Sequence, residues 1–177
     1  MAKKVLMVIP PEKFRDEEFF VPKKHFEGKG IEVAVASTKA GECSGMLGGT
    51  ATADLSLEDV NAADYDAVAF VGGPGTPIIR TEEKAIEIAR DAAAKGKVVA
   101  AICWAPTILA KAGVLEGKRA TVWVGEDAEF GMKTNEYLEK QGASCSGEGF
   151  VVDGKIVTAD GPANAENFAR AIEELLG

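Results

Sequence analysis

Short segments of almost continuous apolar residues alternate along the chain with longer segments that have a helical pattern. The first four apolar segments are KKVLMVI, IEVAVAS, DAVAFVGG and VVAAI. Near-continuous apolarity is typical of a parallel strand, because such a strand is covered by other elements on both faces. Strands that alternate with helices through short connections predict a parallel sheet with helices packed on both of its sides.

Three intervening segments illustrate the helical pattern. The segment RDEEFFVPKKHFEGKG predicts a helix with an acidic first turn, in which Pro22 predicts a kink or a later start. In TEEKAIEIARDAAAKGK, apolar residues recur at helical spacing, namely Ala85, Ile88, Ala89 and Ala92. The C-terminal NAENFARAIEELLG predicts an amphipathic helix whose apolar stripe consists of Phe168, Ile172, Leu175 and Leu176.

The remaining segments complete the same pattern. We expect CSGMLGGTATADLSLEDV to form a small hairpin followed by a short turn of helix, and PGTP to be a loop. APTILAKAG and TNEYLEKQGA predict helices, RATVWV predicts a fifth strand, and GFVVDGKIVTA predicts a hairpin with its turn at DG. We therefore predict a single domain, residues 1–177, with a doubly wound α/β architecture: a mostly parallel sheet, helices on both faces, and a small hairpin.

The composition is sufficient for a folded domain and argues against several classes of partner. With 177 residues, 46% of them hydrophobic, the chain can form a full-sized core without a metal or a disulfide. The net charge of −8 makes nucleic acid and anionic membrane surfaces poor partners. No segment approaches the ~18 apolar residues of a membrane span. The apolar run near the N-terminus is too short for a signal peptide.

The cysteine content indicates a reducing compartment, and the histidine content argues against a zinc site. Cys43, Cys103 and Cys145 form no CxxC pair, which favours a cytoplasmic protein over a disulfide-bonded secreted one. His25 is the single histidine, so the chain is poor in ligands for zinc. We expect no metal and no cofactor.

Three of the predicted strands end in unusual sequences. The first continues into PPEKFRDEEFF, the third into GGPG, and the fourth into Cys103. Ligands of open parallel sheets bind beyond the carboxyl ends of the strands, so we expect these segments to meet at one edge. Simpler explanations exist: a glycine-rich loop is most often a tight turn, and acidic residues stabilise a helix N-terminus.

Cys103 is a candidate nucleophile because it stands where a strand changes into a helix. A helix N-terminus lowers the pKa of a cysteine, so we expect this thiol to rest as a thiolate. The amide of Trp104 and an amide from Gly72 or Gly73 would then form an oxyanion hole. The acid or base would be a carboxyl group of the first segment, which offers Glu12, Asp16, Glu17 and Glu18. The alternative for Cys103 is an inert core residue.

Other residues of reactive or aromatic type predict structural roles. We expect Cys43 and Cys145 to be small apolar or surface residues. His25 follows Glu18 by about two helical turns, or ~10 Å, which predicts a surface or groove position. We expect Trp104 and Trp123 to be packing residues, and we expect Trp104 also to shape the mouth of the candidate pocket.

The motifs AICWAP, FVGGPG and FRDEEFFVP together resemble those of the DJ-1/PfpI superfamily. The resemblance extends over nearly the whole chain and includes GMLGG and DGKIVTADGP. It implies a flavodoxin-like α/β fold, a homo-oligomer that is a dimer or a hexamer, and no cofactor. It also implies that Cys103 is the nucleophile and that Glu18, four residues before Pro22, hydrogen-bonds the thiol. Gly73 and the amide of Trp104 match the oxyanion donors of the superfamily.

Two positions depart from the peptidases of this superfamily. Trp104 stands where PfpI-type peptidases have a histidine, and Pro77 stands where they have a glutamate that acts in a neighbouring subunit. The resemblance therefore favours the branch in which cysteine and glutamate act on small reactive aldehydes, in the manner of glyoxalase III or a deglycase. The alternatives are a PfpI-type intracellular cysteine peptidase and a redox-sensing or chaperone-like stress protein.

Overall fold

The computed structural model describes all 177 residues, and its central element is a seven-stranded sheet. The strands are β1 (Lys4–Val8), β2 (Glu12–Phe14), β3 (Glu32–Ser37), β4 (Gly41–Gly45), β5 (Thr50–Ala53), β6 (Leu55–Ser56), β7 (Ala67–Phe70), β8 (Val98–Ile102), β9 (Arg119–Ala120), β10 (Glu126–Asp127), β11 (Met132–Lys133), β12 (Ser144–Cys145), β13 (Phe150–Asp153) and β14 (Ile156–Ala159). The helices are α1 (Asp16–Gly28), α2 (Thr76–Arg80), α3 (Glu83–Ala94), α4 (Pro106–Lys111), α5 (Thr134–Lys140) and α6 (Ala165–Leu176).

The central sheet has the strand order β13-β14-β8-β7-β1-β3-β6. Only β13 runs antiparallel to its neighbour, so the sheet is mostly parallel and the predicted α/β fold is confirmed. The predicted hairpin near residue 47 is also present, formed by β4 and β5. Because β8, β7 and β1 are neighbours, the segments that follow their carboxyl ends emerge side by side at one edge of the sheet.

Alternate residues of the central strands face two separate helical layers. In β1, Leu6 and Val8 belong to the core that includes buried residues of α3, α4 and α5. Val5 and Met7 belong to the other core, which α1 and α6 complete. This alternation is the two-residue period of a strand, and it explains why β1 is apolar from Val5 to Val8. None of the helices combines the length and the apolar sequence that crossing a bilayer requires.

The segment RATVWV departs from its prediction as a fifth strand. Only Arg119–Ala120 forms a strand, and this strand pairs with β12 outside the central sheet. The chain then turns toward the sheet edge, where the N–H of Thr121 donates to the hydroxyl of Thr158. Two residues further on, the N–H of Trp123 donates to the carbonyl oxygen of Cys103. These contacts replace the strand ladder that an apolar pattern favours.

The predicted later start of the first helix and the predicted PGTP loop were wrong, the loop only in part. Pro22 does not delay the start of α1, which begins at Asp16 and continues through this buried proline. PGTP is only partly a loop, because Thr76 and Pro77 begin α2. Proline is compatible with a first helical turn, where the missing N–H has no acceptor. The short strands β2, β10 and β11 were not predicted.

Phe168 tests the packing of α6. Its side chain is fully buried in the core shared with α1, so we expect Phe168→Ala to lower the free energy of unfolding by about 3–5 kcal/mol. Leu176→Ala, at the half-buried end of the same helix, serves as the control and costs less. Urea unfolding measures both values, and equal losses in the two variants would contradict the assigned packing.

Candidate active site

Cys103 directly follows β8 and has a left-handed backbone, with φ 65°. Its N–H donates to the carbonyl oxygen of Ala159 at 2.8 Å, and its carbonyl oxygen accepts the N–H of Trp123 at 2.7 Å. A non-glycine residue adopts this conformation only at a cost in free energy. The two bonds hold the strained residue in place, and its thiol is half-buried.

Gly72 and Gly73 allow three chain segments to come together. A Cβ on Gly72 would lie 2.5 Å from the carbonyl oxygen of Ile102 and 2.8 Å from the Cβ of Cys103. A Cβ on Gly73, where φ is 109°, would lie 2.5 Å from the backbone nitrogen of Arg15. The N–H of Arg15 donates to the carbonyl oxygen of Gly72 at 2.9 Å. The missing side chains therefore let the segment before α1 and the Cys103 elbow both contact the segment that follows β7.

Glu18 occupies the first turn of α1 and is the only acid of its segment with a buried side chain. Its exposed fraction is 0%, and neither carboxyl oxygen has a hydrogen-bond partner of normal geometry. Burial raises the pKa of this carboxyl to about 8, although the Cys103 thiol, the charge of Arg15 and the backbone of Gly72 each lower it. An ionised carboxylate loses most from desolvation, so Glu18 holds its proton at neutral pH.

The other three candidate acids face elsewhere. Asp16 accepts the N–H groups of Leu47 and Gly49, which lie in the β4–β5 turn. Glu17 forms a partly exposed ion pair with Arg15. Glu12 is exposed in β2. Of the four acids that the sequence offered, the fold brings Glu18 to the thiol.

The pKa of the Cys103 thiol departs from its prediction. Burial raises it, the neighbouring Glu18 carboxyl raises it further, and the backbone groups of Gly73 and Trp104 lower it. The expectation of a lowered pKa was therefore wrong. The reason is that the sulfur is partly desolvated beside an acid, while α4 has only six residues and begins three positions after the cysteine. The buried pair favours one negative charge or none.

Trp104 is held by polar contacts. Its indole N–H donates to Oδ2 of Asp127 at 2.8 Å, and its ring lies against Trp123 with centroids 5.1 Å apart. Asp127 also accepts two hydrogen bonds from the buried Arg80, at 2.7 and 2.9 Å. Arg80 and Asp127 were missed by the sequence analysis, because no motif marks them and 46 residues separate them.

The remaining candidate residues lie in other elements. Cys43 is buried in β4, and Cys145 is half-buried in β12. Burial raises the pKa of both thiols, to about 11 for Cys145. His25 pairs with Glu173 of α6 and lines a groove between α1 and α6. The predicted surface or groove position of His25 is confirmed.

Known proteins resemble this chain over its whole length. The sequence profile of the DJ-1/PfpI family matches residues 3–175. A Pyrococcus abyssi protein named as a deglycase is 34% identical, covering 97% of this chain and 98% of its own. Bacillus subtilis YraA, provisionally named a cysteine protease, is 30% identical with 99% of each chain covered. The crystal structure of a ThiJ/PfpI domain protein from Brachyspira murdochii is 34% identical, with a TM-score of 0.90 over 99% of this chain and 96% of its own.

The raised pKa of Glu18 makes stability depend on pH. Between about 4.5 and about 8, the folded protein keeps a proton that the unfolded chain has lost. The contribution of the Glu18 carboxyl to the free energy of unfolding is therefore largest at low pH. This contribution is lost as the pH rises from about 4.5 to about 8. We expect the wild type to lose roughly 2–5 kcal/mol more than Glu18→Gln between about pH 5 and about pH 8.5.

Urea unfolding at the two pH values measures this difference. Glu17→Gln is the matched control, because the same change is made one position away at a partly exposed carboxyl. An equal pH dependence in the wild type and Glu18→Gln would show that Glu18 titrates at its ordinary pKa.

Proposed function

This chain belongs to the DJ-1/PfpI family, and from that premise we propose that it is a cysteine-dependent enzyme acting on small reactive aldehydes such as glyoxal and methylglyoxal. The observation that most supports this proposal is the Glu18 carboxyl, which is fully buried and unpartnered beside the Cys103 thiol. A carboxyl with a pKa of about 8 is suited to donate and accept protons near neutral pH.

In the first step, the sulfur of Cys103 adds to the aldehyde carbon of methylglyoxal. The thiol proton leaves to solvent, the S–C bond forms, and the carbonyl electron pair moves onto oxygen. Glu18 donates its proton to that oxygen and becomes a carboxylate, leaving a hemithioacetal. The amides of Gly73 and Trp104 stabilise the negative charge that develops on the oxygen.

In the second step, Glu18 moves a proton between adjacent carbons. The carboxylate takes the hydrogen of the former aldehyde carbon while the ketone oxygen gains a proton from solvent, which gives an enediol. Glu18 returns the proton to the neighbouring carbon as the first hydroxyl loses its own, leaving a lactoyl thioester. Water then hydrolyses the thioester to lactate and restores the thiol, and a proton returns from solvent to Glu18, in place of the one that the thiol released in the first step. The net reaction adds one water to methylglyoxal and requires no oxidant.

Lactate formation from methylglyoxal tests this proposal. We expect turnover by the wild type, no turnover by Cys103→Ser, and a rate lowered roughly 10²- to 10⁴-fold in Glu18→Gln, because a general acid–base group is removed. Glu17→Gln keeps the wild-type rate. The proposal fails if a preparation free of other glyoxalases yields no lactate, or if Cys103→Ser retains the activity.

Peptidase activity has weaker support from the site. A cysteine peptidase uses a histidine to activate the thiol and to protonate the leaving amine. The position after Cys103 carries Trp104, whose indole N–H is donated to Asp127. His25 pairs with Glu173 instead. The aldehyde reaction needs only the cysteine and the carboxyl, so it is the function that these residues favour.

Peroxide sensing is a second candidate function, and the protonated Glu18 carboxyl beside the Cys103 thiol favours it. A thiolate attacks one oxygen of hydrogen peroxide, the O–O bond breaks, and hydroxide leaves as the sulfur becomes a sulfenic acid. A second peroxide gives the sulfinic acid, to which the protonated Glu18 donates a hydrogen bond.

Mass spectrometry after mild peroxide treatment tests this second candidate. We expect Cys103 to be oxidised before Cys43, which is 2% exposed, and before Cys145, because the backbone groups of Gly73 and Trp104 and the Glu18 carboxyl lie beside the Cys103 sulfur and can stabilise the oxygen atoms added to it. Glu18→Gln should accumulate less sulfinic acid. Equal oxidation of Cys103 and Cys145 would argue against a sensing role.

A further inference from the structure

Arg80, Thr107 and Asp127 form a buried polar group, called here the Arg80 cluster. Their exposed fractions are 1%, 0% and 2%. Nη1 of Arg80 donates to Oγ1 of Thr107 at 2.9 Å and to Oδ2 of Asp127 at 2.7 Å. Nη2 of Arg80 donates to Oδ1 of Asp127 at 2.9 Å. The guanidinium therefore bridges a hydroxyl of α4 and a carboxylate of β10.

The Arg80 cluster holds Trp104 at two separate atoms. The indole N–H of Trp104 donates to Oδ2 of Asp127 at 2.8 Å. The hydroxyl of Thr107 donates to the carbonyl oxygen of Trp104 at 2.8 Å. The hydrogen bonds thus form a closed ring that passes from the indole through Asp127, Arg80 and Thr107 back to the main chain of Trp104.

The surroundings of the cluster make it rigid. The guanidinium of Arg80 lies 4.4 Å from the ring centroid of Phe130, and that ring stacks on Tyr137. Asp127 accepts a further hydrogen bond from the N–H of Glu129. A buried ion pair of this kind is often no more stabilising than apolar residues of similar volume. The stability that the ion pair contributes therefore does not explain why it lies next to Trp104, the residue that follows the thiol.

We propose that the Arg80 cluster is a positioning device, which fixes the Trp104 peptide so that its N–H stays directed at the Cys103 sulfur and at the oxygen formed there. The proposal rests on the proposed function, because it assigns the same N–H to the oxyanion. It adds Arg80, Thr107 and Asp127 as positioning residues that act through Trp104. The family's peptidases have a histidine at the position of Trp104. In this chain the Trp104 side chain instead donates a hydrogen bond to Asp127 of the cluster.

The predicted consequence is a change in thiol ionisation. The backbone of Trp104 lowers the pKa of the Cys103 thiol, so loosening the peptide raises that pKa and lowers the fraction of thiolate at a given pH. The charged and titratable groups that face the thiol are Glu18 and Arg15. Glu129 and Lys111 lie at the outer side of the cluster. None of these four residues is altered when Thr107 is changed.

Thr107 offers a matched set of variants. Thr107→Val removes the hydroxyl at nearly constant volume, whereas Thr107→Ser keeps the hydroxyl. Iodoacetamide alkylation of Cys103, resolved by mass spectrometry across pH, reports the ionisation midpoint. We expect Thr107→Val to raise the midpoint by about half a pH unit and to slow alkylation at neutral pH about threefold. Thr107→Ser should restore the wild-type midpoint.

A second pair covers the case in which Thr107→Val fails to fold. Thr107→Ala and Thr107→Ser differ only by the hydroxyl, so the same midpoint difference is expected between them. An unchanged midpoint in folded Thr107→Val, or equal shifts in the variants with and without the hydroxyl, overturns the proposal. Alkylation requires no aldehyde. A missing lactate activity would therefore count against the proposed function only. The alkylation midpoint would still test the positioning role of the Arg80 cluster.

Discussion

The close approach of the Gly72–Gly73 segment, which follows β7, to two other segments is the constraint on which the candidate site depends. Any side chain at Gly72 would overlap the Cys103 elbow, and any side chain at Gly73 would overlap the backbone at the start of α1. The hydrogen bond from Arg15 to Gly72 joins the same segments. Cys103 comes from one of these segments and Glu18 from another. The glycines thereby bring a thiol and a carboxyl together without any direct sequence relation between them.

This closeness also determines the electrostatics of the pair. Both groups are largely removed from water. The Glu18 carboxyl disfavours ionisation of the thiol, whereas the thiol lowers the pKa of the carboxyl, but by less than burial raises it. The carboxyl consequently keeps its proton at neutral pH, which makes it a donor toward an oxygen atom bound near the sulfur. Backbone amides act in the opposite direction on the thiol. The chemistry we propose depends on this balance between burial and the amides, since α4 is short and begins beyond the cysteine.

Position 104 shows how a neighbouring buried cluster defines what the site can do. The indole N–H of Trp104 is committed to Asp127, whose carboxylate is already paired with Arg80. Trp104 is therefore held in one position, and its indole cannot act as a base. Aldehyde chemistry based on a cysteine and a carboxyl is compatible with this arrangement, whereas a peptidase of the Cys–His type lacks its base.

Among the four acids of the first segment, only the resemblance to the DJ-1/PfpI family singled out Glu18. The sequence by itself determined the alternation of strands and helices and the position of Cys103 at a strand end. These are local signals, because periodicity and strand-end motifs lie within a few neighbouring residues. Tertiary structure decided the fate of RATVWV, the direction of the thiol pKa and the existence of the Arg80 cluster. Each of these depends on burial or on contacts such as Arg80 with Asp127, 47 positions apart in the chain. Such contacts and the loss of water around them arise only when the chain has folded.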